Sequence, residues 1–348
     1  MIITYFRSSS YNAHNMCPQQ YFIEYNLGWR GLSGQKADKG TIVHKVLEIL
    51  AFIKMYQQDN KEIYEDDIAG NINVNNYDLS KIKSIVYNYY VDNTPHHRWS
   101  PKDERDCSNW VDKAVTFNDG MFDPRNRKIL YPEQHFDFEI KKPWAKFDYD
   151  TKDEGNLSGY LSLKGTVDLI TTVNDDTIEM IDWKTGRRLD WATGEEKTQE
   201  KLERDPQLKI YHYAIRHLYP NIKNVIFSIY FINDGGPFSI CFEDSELPDT
   251  ENMIRNKFNE IRRTQNPELK KSWKCNKLCH FGKTTFEETN IKPTIEYREN
   301  QLCNMGQTMT KCEQIKHDTK LYGIDAAVNI YKHPNHSFGK YKAPGSTE

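Results

Sequence analysis

Two short apolar runs separated by a polar tip form the clearest pattern along the chain. Residues 166–171 and 177–183 are rich in β-branched and other apolar side chains, and the Asn-Asp-Asp stretch at 174–176 tolerates turn geometry. This pattern predicts a β-hairpin. Each of its strands carries an aspartate among apolar neighbours, Asp168 in the first and Asp182 in the second.

Apolar side chains at helical spacing predict helices on both sides of the hairpin. The predicted helices are 11–25, 41–53, 79–90, a helix that begins at Asp205-Pro206, 250–263 and 313–322. Further strands are predicted at 131–140, at the nearly continuous apolar run 224–232, and at 238–242. Residues 141–154 are expected to form a charged loop, and the tail from Pro334 is expected to fray. The order of these elements predicts an α/β fold.

Composition narrows the class of protein. The 348 residues can bury a substantial core, and the formal net charge of −3 gives no overall basic field, so nucleic acid would have to bind in a local groove. The mean hydropathy of −0.81 and the lack of an 18-residue apolar run argue against a membrane span. The N-terminus has no signal-peptide pattern, and we expect an intracellular, cytoplasmic protein.

The seven cysteines are unevenly distributed, and their odd number does not indicate a disulfide framework. Cys275, Cys279, Cys303 and Cys312 lie in the last quarter of the chain. These four could form a zinc site, with His280 as a spare ligand. Alternatively, one remote cysteine could join three of them around a [4Fe–4S] cluster, or the thiols could be unliganded.

The hairpin itself carries candidate chemistry. The two-residue period of a strand places Lys184 on the same face as Asp182. Buried carboxylates need neutralisation, and oxygen ligands with open positions suit Mg²⁺ or Mn²⁺. Such a site could hydrolyse phosphodiesters, with the lysine holding water or an anionic oxygen. A solvated hairpin with Asp182 and Lys184 paired is the alternative.

The ordered motifs resemble those of a known family. Gly-x-x-Asp at 165–168, followed fourteen positions after Asp168 by Asp-Trp-Lys-Thr-Gly at 182–186, is similar to the core of PD-(D/E)XK nucleases, in particular the RecB-like branch. Gly40-Thr-Ile-Val-His44-Lys-Val-Leu-Glu48 resembles the first motif of that branch, and Gln207 with Tyr211 resembles its Gln-x-x-x-Tyr motif. The resemblance implies a restriction-endonuclease-like core with a mixed central sheet flanked by helices.

The resemblance also implies roles for these residues. His44, Asp168, Asp182 and the Trp183 carbonyl would hold Mg²⁺ or Mn²⁺, and Lys184 would act on water or on the charge that develops at phosphorus. Gln207 and Tyr211, on one helix face, would fix the scissile strand. A histidine at a helix margin is otherwise an ordinary structural residue. Glu133 opens the first strand, where some relatives place an acid near the metal.

Two further expectations concern groups outside the central motifs. Arg187 and Arg188 could bind DNA phosphates, or could form a solvated basic turn. The Cys17-Pro18 pair resembles the N-terminal cysteine of iron–sulfur exonucleases, including CRISPR-associated and phage enzymes. The resemblance therefore implies a [4Fe–4S] cluster on Cys17, Cys275, Cys279 and Cys312, with zinc as the alternative.

Together these observations predict a metal-dependent DNA nuclease, expected to be an exonuclease from a bacterium or phage. The competing hypothesis is a nuclease-fold subunit that binds DNA or a protein partner without cleaving. We expect N-terminal nuclease helices at 1–56, a helical insertion at 57–130, the nuclease core at 131–272, and a cysteine-rich metal-cluster segment with a tail at 273–348.

Overall fold

The computed structural model describes residues 1–152, 154–189, 194–286 and 309–338. Its strands are β1 Tyr5–Phe6, β2 Ile63–Asp66, β3 Gly70–Asn73, β4 Ile129–Glu139, β5 Lys146–Thr151, β6 Gly155–Tyr160, β7 Ser162–Asn174, β8 Thr177–Lys184, β9 Asn224–Phe231 and β10 Gly236–Cys241. Its helices are α1 Ser8–Met16, α2 Pro18–Tyr21, α3 Gln35–Gln58, α4 Leu79–Asn93, α5 Pro101–Thr116, α6 Gln199–Glu203, α7 Pro206–Leu218, α8 Leu247–Arg263, α9 Trp273–Lys277, α10 Lys311–Tyr322 and α11 Ile324–Tyr331. None of the described helices has both the length and the apolar character of a membrane span.

The chain divides into two compact units, each assembled from separate stretches of sequence. The first unit comprises 1–32, 137–164 and 248–348, and the second comprises 33–136 and 165–247. Two of the boundaries between these stretches fall within strands, at 136/137 in β4 and at 164/165 in β7.

The second unit contains a mixed sheet built around the predicted hairpin. β7 pairs with β8 in antiparallel register, with Leu169 opposite Ile181, and β8 pairs in parallel with β9. β10 extends the sheet antiparallel to β9, and β4 pairs with β7. The predicted hairpin and strand β9 are therefore confirmed. Most side chains of β8 and β9 are buried, as their apolar sequences predict.

Helices cover both faces of this sheet. Phe227 and Tyr230 lie three residues apart on β9 and so point to opposite faces. Tyr230 belongs to the apolar core around α3, whereas Phe227 packs edge-on against His212 of α7, with ring centroids 5.8 Å apart. The expected α/β fold, with a mixed central sheet flanked by helices, is confirmed.

Residues 57–130 contain more regular structure than the sequence pattern indicated. The predicted helix is present as α4, and an antiparallel hairpin of β2 and β3 precedes it. Helix α5 was missed, although Ser100 and Asp103 form a capping box and Pro101 occupies its first turn. Side chains of α4 and α5 join the core of α3, so this segment contributes to the interior.

The first unit corrects two predictions. Residues 141–154 are not a loop, because β5 pairs with β6 and Phe147 stacks on Tyr149 at 5.4 Å. Phe147 and Tyr149 alternate with charged residues in the two-residue period of a strand, but the high charge of 141–154 led to the prediction of a loop. The tail is also ordered as far as Phe338, which is buried and whose backbone N–H donates to Glu154. In the same unit, β1 pairs in parallel with β7 at Ser162 and Leu163.

Candidate active site

The central hairpin places its two carboxylates where the pairing of β7 and β8 ends. Asp168 precedes Leu169 and Asp182 follows Ile181, the last pair in register. The Trp183 backbone N–H donates to Asp168 Oδ2 at 2.9 Å. Asp168 thus contacts the strand that carries Asp182, so both acids have fixed positions relative to one another.

The predicted lysine and histidine each contact one of these carboxylates. Lys184 Nζ lies 2.6 Å from Asp182 Oδ2, and His44 Nδ1 lies 3.4 Å from Asp168 Oδ2. The His44 ring also packs edge-on against Trp183, with centroids 6.4 Å apart. Helix α3 is longer than predicted and delivers His44 from its interior turns. The structure therefore brings together the four side chains that the motifs singled out.

Two motif glycines allow the elements to approach this closely. A Cβ atom on Gly40 of α3 would lie 2.7 Å from Thr185 Oγ1, which directly follows the Asp-Trp-Lys motif. A Cβ atom on Gly165 would lie 2.3 Å from Cζ of Phe136, whose ring also packs edge-on against Tyr211. Each glycine is thus explained by the backbone approach that it permits.

Burial and charge act differently on the two acids. Burial alone would raise the pKa of Asp168, but His44, Lys184 and the Trp183 N–H outweigh it and the pKa is lowered. Burial raises the pKa of Asp182, with the Asp168 charge adding to it against the effect of Lys184. Burial opposes charge on His44 as well, yet the neighbouring Asp168 carboxylate raises its pKa. The site is a strongly coupled set of charges with unequal proton affinities.

An open cavity of about 430 Å³ adjoins these groups. His44, Asp168, Trp183 and Lys184 line it, and so do two further acids, Glu48 and Glu133. An imidazole with several carboxylates is a donor set that suits a divalent cation, because oxygen ligands dominate it and their like charges need compensation. The residues present therefore fit the Mg²⁺ or Mn²⁺ ion that the resemblance implies.

Glu133 occupies an unusual backbone conformation at this cavity. Its φ of 47° lies in the left-handed region, which is uncommon for a residue with a Cβ atom. Burial raises the pKa of Glu133 to about 9, and the charges of Asp168 and Glu48 add to the effect. The strained backbone turns a carboxyl group toward other acids. This combination is frequent at functional sites.

Sequence analysis assigned no role to Glu48. It follows His44 by four residues on α3 and therefore lies on the same helix face, next to Lys45, whose Nζ is 2.7 Å from Glu48 Oε1. The i, i+4 spacing from a candidate ligand was the signal that could have found it.

Helix α7 positions the glutamine–tyrosine pair. Asp205 accepts a hydrogen bond from the Gln207 backbone N–H at 2.9 Å, as an N-cap residue should, and Pro206 occupies the first turn. Gln207 Nε2 donates to the Tyr211 hydroxyl at 3.1 Å. Burial raises the pKa of Tyr211, and the Asp182 charge raises it further. Tyr211 is therefore within electrostatic range of the hairpin acids.

The two predicted DNA-binding arginines have different surroundings. Arg187 is exposed. Arg188 forms an ion pair with Glu196, and its guanidinium lies 4.6 Å from the centre of the Phe238 ring. Its backbone N–H donates to Asp234 at 2.8 Å. Arg187 is thus the more accessible of the two for a phosphate.

The four cysteines selected for the cluster line one cavity in the first unit, of about 450 Å³. Cys17 lies at the break between α1 and α2, Cys275 in α9, Cys279 just after it, and Cys312 in the first turn of α10. Burial raises the pKa of Cys312, and the other three cysteines raise it further. Four thiols around one cavity fit a cationic metal or cluster, which would stabilise their thiolates.

The remaining cysteines lie elsewhere or outside the described residues. Cys107 is buried on α5 and Cys241 is exposed on β10. Cys303, the alternative ligand, lies outside the residues that the structure describes. His280 follows Cys279 and contacts the ring of Phe281, with centroids 5.6 Å apart.

Comparisons with known proteins support the pattern of motifs. The model of the PD-(D/E)XK nuclease superfamily matches residues 8–283. Among solved structures, the chain is similar to a "Putative exonuclease" from Eubacterium rectale, with 11% identity and a TM-score of 0.47, covering 86% of this chain and 94% of that one. No curated protein matches the chain.

Proposed function

The chain belongs to the PD-(D/E)XK nuclease superfamily, and from that premise we propose that it is a metal-dependent DNA exonuclease of the RecB-like branch. The observation that carries the proposal is the convergence of His44, Asp168, Asp182 and Lys184 beside one cavity, with Asp182 buried, Asp168 half-buried and each acid in contact with a cationic or imidazole group. The family makes the protein a nuclease. The metal, the DNA substrate and the attack from chain ends are our inference.

In this proposal His44, Asp168, Asp182 and the Trp183 carbonyl hold Mg²⁺ or Mn²⁺. Such an ion, when bound, lowers the pKa of water and neutralises charge on phosphate oxygens. Lys184 orients the attacking water or stabilises the negative charge that develops on the phosphoryl oxygens in the transition state. Its 2.6 Å contact with Asp182 keeps the ammonium group beside the carboxylates.

Substrate positioning falls to side chains around this centre. Gln207, hydrogen-bonded to Tyr211, is proposed to fix the scissile strand. Arg187 is exposed and available to a phosphate, whereas Arg188 must first leave Glu196 to make a similar contact. Arginine suits this role because its planar group binds phosphate oxygens in pairs.

The decisive test is a cleavage assay on end-labelled single- and double-stranded DNA, with Mg²⁺, Mn²⁺ or EDTA. Asp168→Asn removes the charge but keeps an oxygen that can accept the Trp183 N–H. We expect metal-dependent cleavage by the wild type and its loss in this variant, with unchanged folding by circular dichroism. Asp175→Asn, in the exposed turn of the same hairpin, is the matched control and should retain full activity.

Products of the same assay separate the proposed exonuclease from other outcomes. Mononucleotides or short fragments released from labelled ends, with circular DNA left intact, are expected. Cleavage of circular DNA would show that the protein acts as an endonuclease and not as an exonuclease. Binding of DNA without cleavage under every metal condition would overturn the enzymatic proposal and favour the non-cleaving subunit.

We further propose that Cys17, Cys275, Cys279 and Cys312 hold a [4Fe–4S] cluster. Tetrahedral zinc with Zn–S bonds of about 2.3 Å brings its sulfurs to about 3.8 Å from one another. Among the described residues, no three of these sulfurs lie within 4.8 Å of one another. The wider spacing favours a cluster, whose four irons occupy the space between the sulfurs.

Metal analysis of protein purified anaerobically tests this assignment. We expect iron and acid-labile sulfide in equal amounts, near four of each per chain, with a brown colour and broad visible absorption. Cys312→Ser should lose the iron, whereas Cys241→Ser, at an exposed cysteine on β10, should keep it. Stoichiometric zinc without iron or sulfide would identify the zinc alternative instead.

A further inference from the structure

Two histidines and an aspartate meet at the beginning of α3, where neither the motifs nor the proposed chemistry uses them. One ligand-type atom from each of Asp38, His96 and His97 lies within 4.8 Å of those of the other two. His97 Nε2 is 2.6 Å from Asp38 Oδ2. The imidazole rings of His96 and His97 have centroids only 4.0 Å apart.

The fold holds two of these side chains in place independently of any ligand. Asp38 is buried in the first turn of α3, and its Oδ2 also accepts a hydrogen bond from Ser33 Oγ at 2.7 Å. The His97 backbone N–H donates to the Thr94 carbonyl at 3.1 Å, which closes a turn after α4. The His97 ring packs edge-on against Trp99, with centroids 5.6 Å apart. A carboxylate and an imidazole are therefore preorganised, and the carboxylate has an outer hydrogen-bond partner.

We propose that Asp38, His96 and His97 form a binding site for a divalent transition metal ion, with Zn²⁺ as the best match. Imidazole nitrogen and carboxylate oxygen are the ligands that this borderline cation takes, and two histidines with one carboxylate leave a fourth position open. Mg²⁺ fits poorly, because it prefers oxygen ligands and retains its waters. His96 is exposed, so the open side of the site faces solvent and provides an entry path.

The present spacing is close to what binding requires. Zinc bonds of about 2.0–2.2 Å place the ligand atoms of a tetrahedral site roughly 3.4 Å apart. The ligand atoms already lie within 4.8 Å, so rotation of side chains suffices. The bound ion replaces the hydrogen bond between His97 and Asp38, and His97 binds it as a neutral imidazole whose proton is on the other ring nitrogen.

The location gives the site a consequence for the neighbouring cavity. Gly40 and Thr41, in the next turn of α3, and Tyr90 of α4 all line the cavity of the candidate active site. Asp38 precedes His44 by six residues, a rise of about 9 Å along the helix. An ion held by Asp38 and the two histidines would therefore fasten the first turn of α3 to the segment after α4, at the rim of that cavity.

Zinc stoichiometry tests the site without reference to cleavage. Untagged, metal-stripped full-length protein is dialysed against buffered Zn²⁺, and its zinc content is compared with that of His96→Ala and His217→Ala. Both histidines are exposed, so neither change should affect folding of the metal-free chain. We expect His96→Ala to bind one zinc ion fewer per chain and His217→Ala to equal the wild type. Equal zinc in all three proteins, or equal losses in both variants, would overturn the proposal.

A second measurement distinguishes coordination from a surface charge effect. Ser33→Ala keeps all three ligands but removes the hydrogen bond to Asp38, and loss of such an outer partner weakens metal binding about 10-fold. Zinc should also raise the melting temperature of the wild type more than that of His96→Ala. A melting temperature that responds equally in both proteins contradicts the tether between α3 and the segment after α4.

Discussion

The candidate site at the scale of residues shows which roles a sequence can reveal. Asp168, Asp182 and Lys184 were singled out by their positions on the two predicted strands, whereas the role of His44 came from the family resemblance; the structure brings the four side chains together. Glu48 was not assigned a role, although it lies one helical turn after His44, because only the structure shows that it lines the same cavity. The left-handed backbone of Glu133 could not be predicted either, because local propensity opposes it.

The pKa of Glu133 predicts how the metal-free protein responds to pH. Its carboxyl pKa is raised from 4.5 to about 9, mainly by burial. Below pH 4.5 the group is neutral in both the folded and the unfolded chain. Between pH 4.5 and about 9 the folded protein keeps a proton on Glu133 that the unfolded chain releases. The free energy of unfolding therefore falls as pH rises through this range and stops falling above about pH 9.

Glu133→Gln removes this titratable group, so the free energy of unfolding of the variant should fall less steeply as pH rises. The measurement is urea denaturation in EDTA at several pH values between 5 and 9. The free energy of unfolding of the variant should increase relative to that of the wild type as pH rises. Glu139→Gln, at an exposed position of the same strand, serves as the control. Parallel curves for the wild type and Glu133→Gln would show that Glu133 ionises normally.

At the scale of elements, helices and strands were predicted correctly where a single helical or strand period of apolar residues dominated the sequence. The hairpin of β7 and β8, the helices α3 and α7, and the strand β9 carry uninterrupted apolar patterns, and all are present. β5, β6 and α5 were missed because their sequences carry few large apolar side chains: β5 has two rings among charged residues, β6 consists mainly of Gly, Asn and Ser, and α5 is largely polar. Such elements are stabilised by contacts with neighbours that are distant in sequence, which a local pattern does not contain.

The packing of β7 against β4 gives a prediction at this scale. Gly165→Ala puts a Cβ atom 2.3 Å from Cζ of Phe136, a buried ring that also packs against Tyr211. The ring must move, and we expect a loss of about 1–3 kcal/mol in the free energy of unfolding, as for other overpacked cores. Adding Phe136→Leu should recover part of the loss.

Thermal and urea denaturation of the single and double variants check this expectation. Gly186→Ala is the control, because its Cβ atom would meet no other atom within 4 Å. If the Gly165→Ala protein is as stable as the Gly186→Ala protein, Phe136 of β4 can move with no loss of stability, and close packing does not explain the motif glycine.

At the scale of the whole molecule, the sequence indicated the class of fold but not which stretches assemble. Local periodicity does not reveal that 1–32, 137–164 and 248–348 belong to one unit, and 33–136 and 165–247 to the other. That partition depends on tertiary contacts. The association of Cys17 with the C-terminal cysteines, like that of His44 with the hairpin acids, was a long-range association implied by the family resemblance, and the four cysteines line the same cavity.

This association predicts the effect of removing one of its thiols. A group bound by Cys17 and the C-terminal cysteines closes a very long loop and stabilises only the folded first unit. Cys279→Ala should therefore lower the yield and the melting temperature, while the activity per folded molecule stays unchanged. The measurements are calorimetry and cleavage normalised to folded protein, with Cys241→Ala as the control.

A fully stable but inactive Cys279→Ala protein would contradict that division of roles. It would mean that the cysteine site touches DNA or responds to oxidation, and that its loss acts on the reaction directly.

The interleaving of the two units has a consequence for the order of events during synthesis. A ribosome that adds about 5–20 residues per second needs roughly 10–50 s to proceed from Cys17 to Cys275. During that interval the nascent N-terminal stretch lacks the stretches that complete its unit, whereas the second unit becomes complete once residue 247 has emerged. The second unit can thus fold first, on the ribosome. Any group held by Cys17 together with Cys275, Cys279 and Cys312 can be inserted only after translation of Cys312, so the delivery of such a group would be a late step in the biogenesis of the protein.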